Sequence, residues 1–291
     1  MKIALGTVQF GLQYGISNNH GQVLKSEVKS ILDFAHKNGI TTLDTATSYG
    51  KSEEVLGSSL IGNEWNIITK TPHFKSQNID ISHVEFLEQT FIQSLNNLGL
   101  KNISGLLLHN CNDLFKPGGE KLYRRMEMLK STGAVKKIGV SVYSGEQIDC
   151  LLQDYDLDIV QLPLNILDQR LINSGHLIKL KQNNVEIYAR SVFLQGLLLM
   201  PLHDIPKFFN PVMRQLKNFK KIAEEKSMSS LELALAFVLG INEVNSIVVG
   251  VNSLEHLKQI IDASSVHVNP EEFKGLSISD SNFLNPAVWT L

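Results

Sequence analysis

Residues 41–50 read Thr41-Thr42-Leu43-Asp44-Thr45-Ala46-Thr47-Ser48-Tyr49-Gly50, a short β-branched and apolar run that ends on a carboxylate and is followed by a tyrosine. Two later stretches have the same form: Trp65-Asn66-Ile67-Ile68-Thr69-Lys70 ends on a lysine, and Gly105-Leu106-Leu107-Leu108-His109 ends on a histidine. Short runs of this composition read as buried strands. If consecutive strands of this kind run parallel, their carboxyl ends share one edge, and Asp44, Tyr49, Lys70 and His109 meet at one mouth.

Working outward, short strand-like runs alternate with amphipathic helical stretches eight times. Strands are predicted at Lys2–Leu5, Thr41–Asp44, Trp65–Thr69, Gly105–Leu108, Lys137–Ser141, Ile159–Leu162, Val185–Arg190 and Ser246–Val249. Val28, Ile31, Leu32 and Ala35 recur at helical spacing, with Gly39 as a left-handed stop. Ser82 with Glu85, Ser144 with Gln147, and Ser229 with Glu232 have capping-box spacing. Strictly alternating βα units call for a parallel sheet, and eight of them over residues 1–291 without a linker or composition shift predict a single-domain α/β (β/α)8 TIM barrel. A doubly wound open sheet would carry a GxGxxG turn after its first strand, and none is present. Gly118-Gly119-Glu120-Lys121 lacks the spacing of a Walker A loop. The 200–209 stretch is a long connection after the seventh strand, on the face where barrel loops build sites.

A chain that is 43% hydrophobic and 19% charged has enough apolar residues for a full core. With a net charge of −2 and no basic stripe, nucleic acid is not an expected partner. The most apolar stretch, 191–202, contains Gln195 and Gly196 and is too short to span a bilayer, which takes roughly 20 apolar residues, so no membrane partner is expected. The sequence opens as a strand without a basic-then-apolar leader, which predicts a cytoplasmic protein. Cys111 and Cys150 have neither CxxC nor metal-ligand spacing, so no metal is expected and reduced thiols suit both. Asn102-Ile103-Ser104 matches a glycosylation acceptor by chance. Oligomeric state is not legible.

A tyrosine hydroxyl titrates near pH 10, so moving a proton readily at neutral pH calls for a nearby positive charge. Lys70 is the candidate. A shift of three units corresponds to roughly 4 kcal/mol, within reach of a close ammonium in a partly dry pocket. Asp44 supplies the counter-charge that keeps the lysine protonated. His109 either orients a substrate carbonyl or carries a second proton. Singly, each residue has a plainer reading, as a helix cap, a core tyrosine or a surface lysine. Four compatible types at the ends of three consecutive strands favour chemistry.

These segments resemble the aldo-keto reductase family, in its bacterial branch, and the resemblance runs from Leu5-Gly6-Thr7 to the region of Gly250. Asp44, Tyr49, Lys70 and His109 fall on the family's catalytic tetrad positions. The resemblance implies a (β/α)8 barrel, a nicotinamide cofactor lying extended across the carboxyl face of the strands, and Tyr49 as the general acid in reduction of a small carbonyl substrate. It also implies cofactor contacts from Gly6, Thr7, Val8, Gln9 and Asp44, from Ser141 and Gln161 to the carboxamide, and from Arg190 and Ser191 beside the ring. Gly250, Asn252, His256 and Gln259 would serve the phosphate and adenosine end, where backbone N–H groups at a helix start suit phosphate. NADP(H) is the family default, with NAD(H) as the alternative.

Three positions depart from the family pattern. Val142 stands where an asparagine usually follows the carboxamide serine, Arg190 where an aromatic side chain usually stacks on the nicotinamide, and His256 where an arginine usually reads a 2′-phosphate. A guanidinium plane can also stack, or Arg190 can pair with a carboxylate at the rim. The family's N-terminal hairpin is expected to be missing, and Trp289 either folds over the mouth or packs on the barrel wall. Two other functions remain open: a Schiff-base aldolase using Lys70, which would require a neutral amine, and a nicotinamide-binding module without turnover.

Overall fold

The computed structural model describes residues 1–18, 21–60 and 64–290. Eight parallel strands close into a barrel in chain order. They are β1 (Ile3–Gly6), β2 (Thr42–Asp44), β3 (Asn66–Lys70), β4 (Ile103–Leu108), β5 (Val135–Ser141), β6 (Ile159–Pro163), β7 (Glu186–Arg190) and β8 (Ser246–Gly250). Closure is made by β1 pairing with β8, from Ile3 opposite Ile247 to Gly6 opposite Gly250. The eight expected strands are all present. β4 and β5 begin two residues earlier than their apolar runs suggested, because Ile103 pairs with Val135 while Ser104 and Lys136 between them and the runs face outward.

Helices pack around the barrel: α1 (Lys25–Lys37), α2 (Ser52–Gly57), α3 (Ile81–Leu98), α4 (Glu120–Ser131), α5 (Gly145–Asp154), α6 (His176–Gln182), α7 (Met213–Glu225), α8 (Ser230–Leu239) and α9 (Leu254–Ala263). The α1 helix buries Val28, Ile31, Leu32 and Ala35, and Gly39 follows it at φ +78°. The boxes at Ser144 and Ser229 cap α5 and α8 as expected. At α3 the expectation was displaced. Asp80 is the cap, taking the His83 N–H on its carboxylate while the His83 ring accepts the Asp80 N–H, and Ser82 donates to Asp80 rather than starting the helix. A charged oxygen two residues upstream outcompetes a hydroxyl as acceptor.

Side chains on a strand alternate between faces, so residues two apart share a side. Ile68, Leu107, Ile159 and Tyr188 form a small cluster of their own inside the barrel. One step further along the same strands, on the same face, stand Lys70, His109, Gln161 and Arg190. The apolar plug thus floors the mouth, and the polar layer sits on top of it. No hairpin precedes β1 among the described residues. Trp289 packs edge-on against Phe209, with ring centroids 4.9 Å apart, and is absent from the mouth. No helix among the described residues is long and apolar enough to cross a membrane.

Candidate active site

A cavity of about 490 Å³ opens at the carboxyl ends of the strands. Gly6, Thr7, Val8, Gln9, Asp44, Tyr49, His109, Ser141, Gln161, Arg190, Ser191, Gly250, Asn252 and His256 all line it. Lys70 lies just beneath, 1% exposed. Gln259 stands apart, exposed on α9 and not on the cavity wall.

Lys70 is held by three acceptors. Its Nζ donates to Asp44 Oδ2 at 2.6 Å, to the Thr45 carbonyl at 2.9 Å and to Tyr49 Oη at 3.5 Å. Asp44 Oδ1 accepts from Gln161 Nε2 at 2.8 Å. The carboxylate therefore has a partner on each oxygen, as a buried charge requires. Burial lowers the Lys70 pKa from its ordinary value, and Asp44 pulls it back. With all three N–H bonds engaged and almost no exposure, Lys70 is a poor amine nucleophile, which weighs against the Schiff-base reading.

The pKa of Tyr49 moves opposite to expectation. Burial raises it, the neighbouring Asp44 charge raises it further, and the cation that opposes them is Arg190. Lys70 was expected to lower it, but that charge is neutralised by Asp44 at closer range. Because Lys70 donates to Tyr49 Oη, the phenol keeps its own proton to donate elsewhere. His109 is uncharged at neutral pH: burial, then Lys70, His73 and Arg190, hold its pKa down to about 2. One ring nitrogen, Nδ1, meets Ser48 Oγ at 3.3 Å, and the ring stands edge-on to Tyr49 with centroids 5.9 Å apart.

Close backbone packing places Tyr49. A Cβ on Gly11 would sit 1.8 Å from the Tyr49 carbonyl oxygen, and one on Gly50, at φ +57°, would sit 2.6 Å from the Gly11 carbonyl. Two glycines let the loops after β1 and β2 cross in contact.

On the other half of the mouth the expectations are partly redirected. Val142 is fully buried, and Tyr143 is the residue of that loop that reaches the cavity. Arg190 reaches across β6 to the loop after β5. Its guanidinium stacks on the Tyr143 ring, 4.3 Å from the centroid, and donates to the Val142 carbonyl and to Ser191 Oγ, each at 3.3 Å. Among the described residues no carboxylate pairs with it. At the start of α9, two of the N–H groups expected to meet phosphate already have acceptors. Leu254 donates to Glu27 Oε1 at 2.7 Å and His256 to Ser253 Oγ at 3.2 Å.

Two buried side-chain oxygens on the wall, Gln9 Oε1 and Asn252 Oδ1, have no hydrogen-bond partner among the described residues. Orphaned buried acceptors cost about 1–3 kcal/mol each unless a ligand satisfies them. Gly250 lies so close to Gln9 that a Cβ there would meet the amide oxygen at 2.5 Å. This part of the mouth thus combines two buried acceptors without a donor with a glycine whose bare backbone packs on Gln9.

The family model for the aldo/keto reductase family matches residues 2–280. The chain belongs to the aldo/keto reductase family. An uncharacterised oxidoreductase of Bacillus subtilis, YqkF, is 24% identical over 273 residues, covering 87% of each chain. A 6-dehydroglucose reductase of Agrobacterium fabrum is 23% identical over 258 residues, covering 83% of each. The holo form of aldo-keto reductase AKR11C1 from Bacillus halodurans superposes with a TM-score of 0.75 at 18% identity, over 99% of this chain and 93% of that one. That last likeness concerns the fold.

Within this aldo/keto reductase barrel, several wall residues escaped the sequence reading: Tyr14, Gly15 and Ser17 after β1, Tyr143 after β5, and Phe193 and Leu199 after β7. The 200–209 stretch expected to build the site turns away from it. The loops after β1 and β7 join at Gln195, whose carbonyl accepts from Ile16 N–H at 3.1 Å and whose amide donates to Tyr14 Oη at 2.9 Å. Ser191, Leu194 and Gln195 all have positive φ, a run that marks a specially shaped loop. A Tyr-Gly pair in a long first loop was the available signal.

Proposed function

We propose that this protein is a nicotinamide-dependent carbonyl reductase in which Tyr49 is the general acid. The observation that carries the reading is the contact of Lys70 Nζ with Tyr49 Oη at 3.5 Å. Lys70, anchored by Asp44, donates to Tyr49 Oη. The phenolic hydrogen is thereby left to point at a carbonyl oxygen in the cavity. A raised Tyr49 pKa keeps that proton in place across the neutral and mildly alkaline range. His109, uncharged, donates a hydrogen bond that orients the same oxygen, which is the orienting role of the two open to it. Bound nicotinamide would supply the hydride. Ser141 and Gln161 would hold its carboxamide, and Gln9 and Asn252 would serve the rest of the dinucleotide.

The adenosine end favours NAD(H) over the family default NADP(H). Glu27 accepts from the Leu254 N–H at the start of α9, two residues along the chain from each of the wall residues Asn252 and His256. An acidic group there repels a 2′-phosphate and accepts from ribose hydroxyls. A small, hydroxyl-bearing, sugar-like carbonyl suits the polar wall of Tyr14, Ser17 and Tyr143, and the 6-dehydroglucose reductase among the relatives supports that class. A place in the family's bacterial branch and a cytoplasmic setting, with Cys111 and Cys150 as free thiols, belong to the same reading.

A panel of aldehydes, ketones and sugar carbonyls, followed at the nicotinamide absorbance with NADH and NADPH in parallel, tests it. Turnover that falls at least ~100-fold in Tyr49→Phe is expected. Tight cofactor binding without oxidation across the panel would establish the non-turnover module instead.

A further inference from the structure

Among the described residues, Arg190 is a cation without a counter-ion on the wall of the mouth. It ends β7, opposite Pro163 of β6. Its guanidinium spans to the loop after β5 through Tyr143 and the Val142 carbonyl. Its hydrogen-bond and ring partners among the described residues, Val142, Ser191 and Tyr143, are all neutral. The acidic side chain on the cavity wall, Asp44, is held at 2.6 Å by Lys70 and at 2.8 Å by Gln161, so it is not available to Arg190. The positive charge therefore acts on whatever fills the cavity. Its reach is visible in its neighbours: Arg190 opposes the rise of the Tyr49 and Tyr14 pKa values and contributes to the lowering of those of Lys70 and His109.

The position bears on one group in particular. Ser141 immediately precedes the Val142 that accepts from Arg190, and Gln161 lies opposite Ser141 in the middle of β6, the strand between them. On the function proposed above, which this inference presupposes, those two hold the nicotinamide carboxamide. Arg190 thus shares a corner with the redox-active ring. That ring is neutral when reduced and carries one positive charge when oxidised. In carbonyl reduction the C–H electron pair leaves as hydride to the substrate carbon, a proton from Tyr49 joins the oxygen, and the ring becomes a cation.

We propose that Arg190 makes the site discriminate the oxidation state of its nicotinamide, binding the reduced form more tightly than the oxidised form and so favouring carbonyl reduction over alcohol oxidation. An aromatic residue at this place would stack on either form with little regard to charge, or favour the cation. Two like charges a few ångströms apart in a partly dry cleft weaken binding on the order of tenfold to a hundredfold.

Equilibrium titrations test this without turnover. NADH is followed by its fluorescence and NAD⁺ by calorimetry, on wild type, Arg190→Gln and Arg190→Lys. In wild type the reduced form should bind at least ~10-fold more tightly. Arg190→Gln should shrink the ratio about tenfold, chiefly by tightening NAD⁺, whereas Arg190→Lys should retain it because the charge remains. The wild-type ratio should also fall as salt rises, which supplies a readout should the glutamine variant not fold. An unchanged ratio in Arg190→Gln, an equal loss for both forms, or a lysine variant that behaves like glutamine would overturn the proposal. Failure of wild type to bind either form would remove the carbonyl-reductase reading along with it, whereas binding of both forms with equal affinity removes this inference alone.

Discussion

The two halves of the barrel mouth obey different logic. On the β2–β4 side, Asp44 and Lys70 pair in the interior and Lys70 reaches Tyr49 Oη, while the half-buried His109 ring meets Ser48 Oγ. On the other side, from β5 round to β1, Arg190 has no carboxylate partner and Gln9 and Asn252 keep unpaired oxygens among the described residues, and Glu27 accepts from an N–H at a helix start expected to receive phosphate. The difference teaches that one half is finished by its own chain and the other is shaped for something that enters. A self-sufficient cluster can hold a proton in a defined direction. An unfinished wall can recognise.

The comparison breaks first at Lys70. Lys70→Met leaves the Asp44 carboxylate, 2% exposed, without its ion-pair partner. Removing one member of a buried pair costs about 3–5 kcal/mol. We expect that loss in denaturant unfolding, together with loss of turnover. The double variant Asp44→Asn, Lys70→Met should recover part of the stability and none of the activity. Full stability in the single variant would mean that the finished half is not held by its charges.

Tyr49→Phe should leave folding and cofactor affinity near wild type while lowering kcat by ~10² to 10⁴, the range for loss of a general acid. Retained turnover would sink the proton assignment. Gly11→Ala probes the same half through the backbone. A methyl group 1.8 Å from the Tyr49 carbonyl must push that loop aside. We expect about 1–3 kcal/mol of destabilisation, as for overpacking, and a lower kcat with KM for the cofactor less affected.

His109 sharpens the contrast through pH. Its folded pKa lies well below the unfolded value near 6.5, so between about 2 and 6.5 the unfolded chain binds a proton that the native chain refuses. The stabilisation is complete above pH 6.5 and is lost as pH falls through this window. His109→Gln should therefore show a flatter acid limb of stability between pH 6.5 and 4 than wild type. On the open half the expected effect is smallest: Glu27→Gln should narrow a preference for NADH over NADPH by about tenfold, measured as the ratio of dissociation constants. An initial preference for NADPH would refute the role given to Glu27.

The barrel and the buried half were legible because their signals are local. Each of Thr42–Asp44, Asn66–Lys70 and Ile103–Leu108 announces a strand by composition, and a period of two then carries Lys70 and His109 to the same face as Ile68 and Leu107 beneath them. Capping at α5 and α8 was legible for the same reason, since both partners lie three residues apart. At α3 the nearby Asp80 competed with Ser82, and spacing alone does not rank two acceptors. The open half was less legible because its facts are non-local. Arg190 meets Tyr143 across β6, Glu27 reaches Leu254 from the other end of the chain, and Tyr14 meets Gln195 over 181 residues.

By itself the sequence determined the strand order, the inward residues and the chemical types at the mouth, because hydrophobic periodicity and turn chemistry act over a few residues. Only the tertiary structure decided which charge neutralises which. Lys70 stands 2.6 Å from Asp44 and 3.5 Å from Tyr49, so its charge serves the carboxylate, and Arg190 is left as the cation facing the cavity. Coulomb energies depend on distances and burial that no residue spacing encodes.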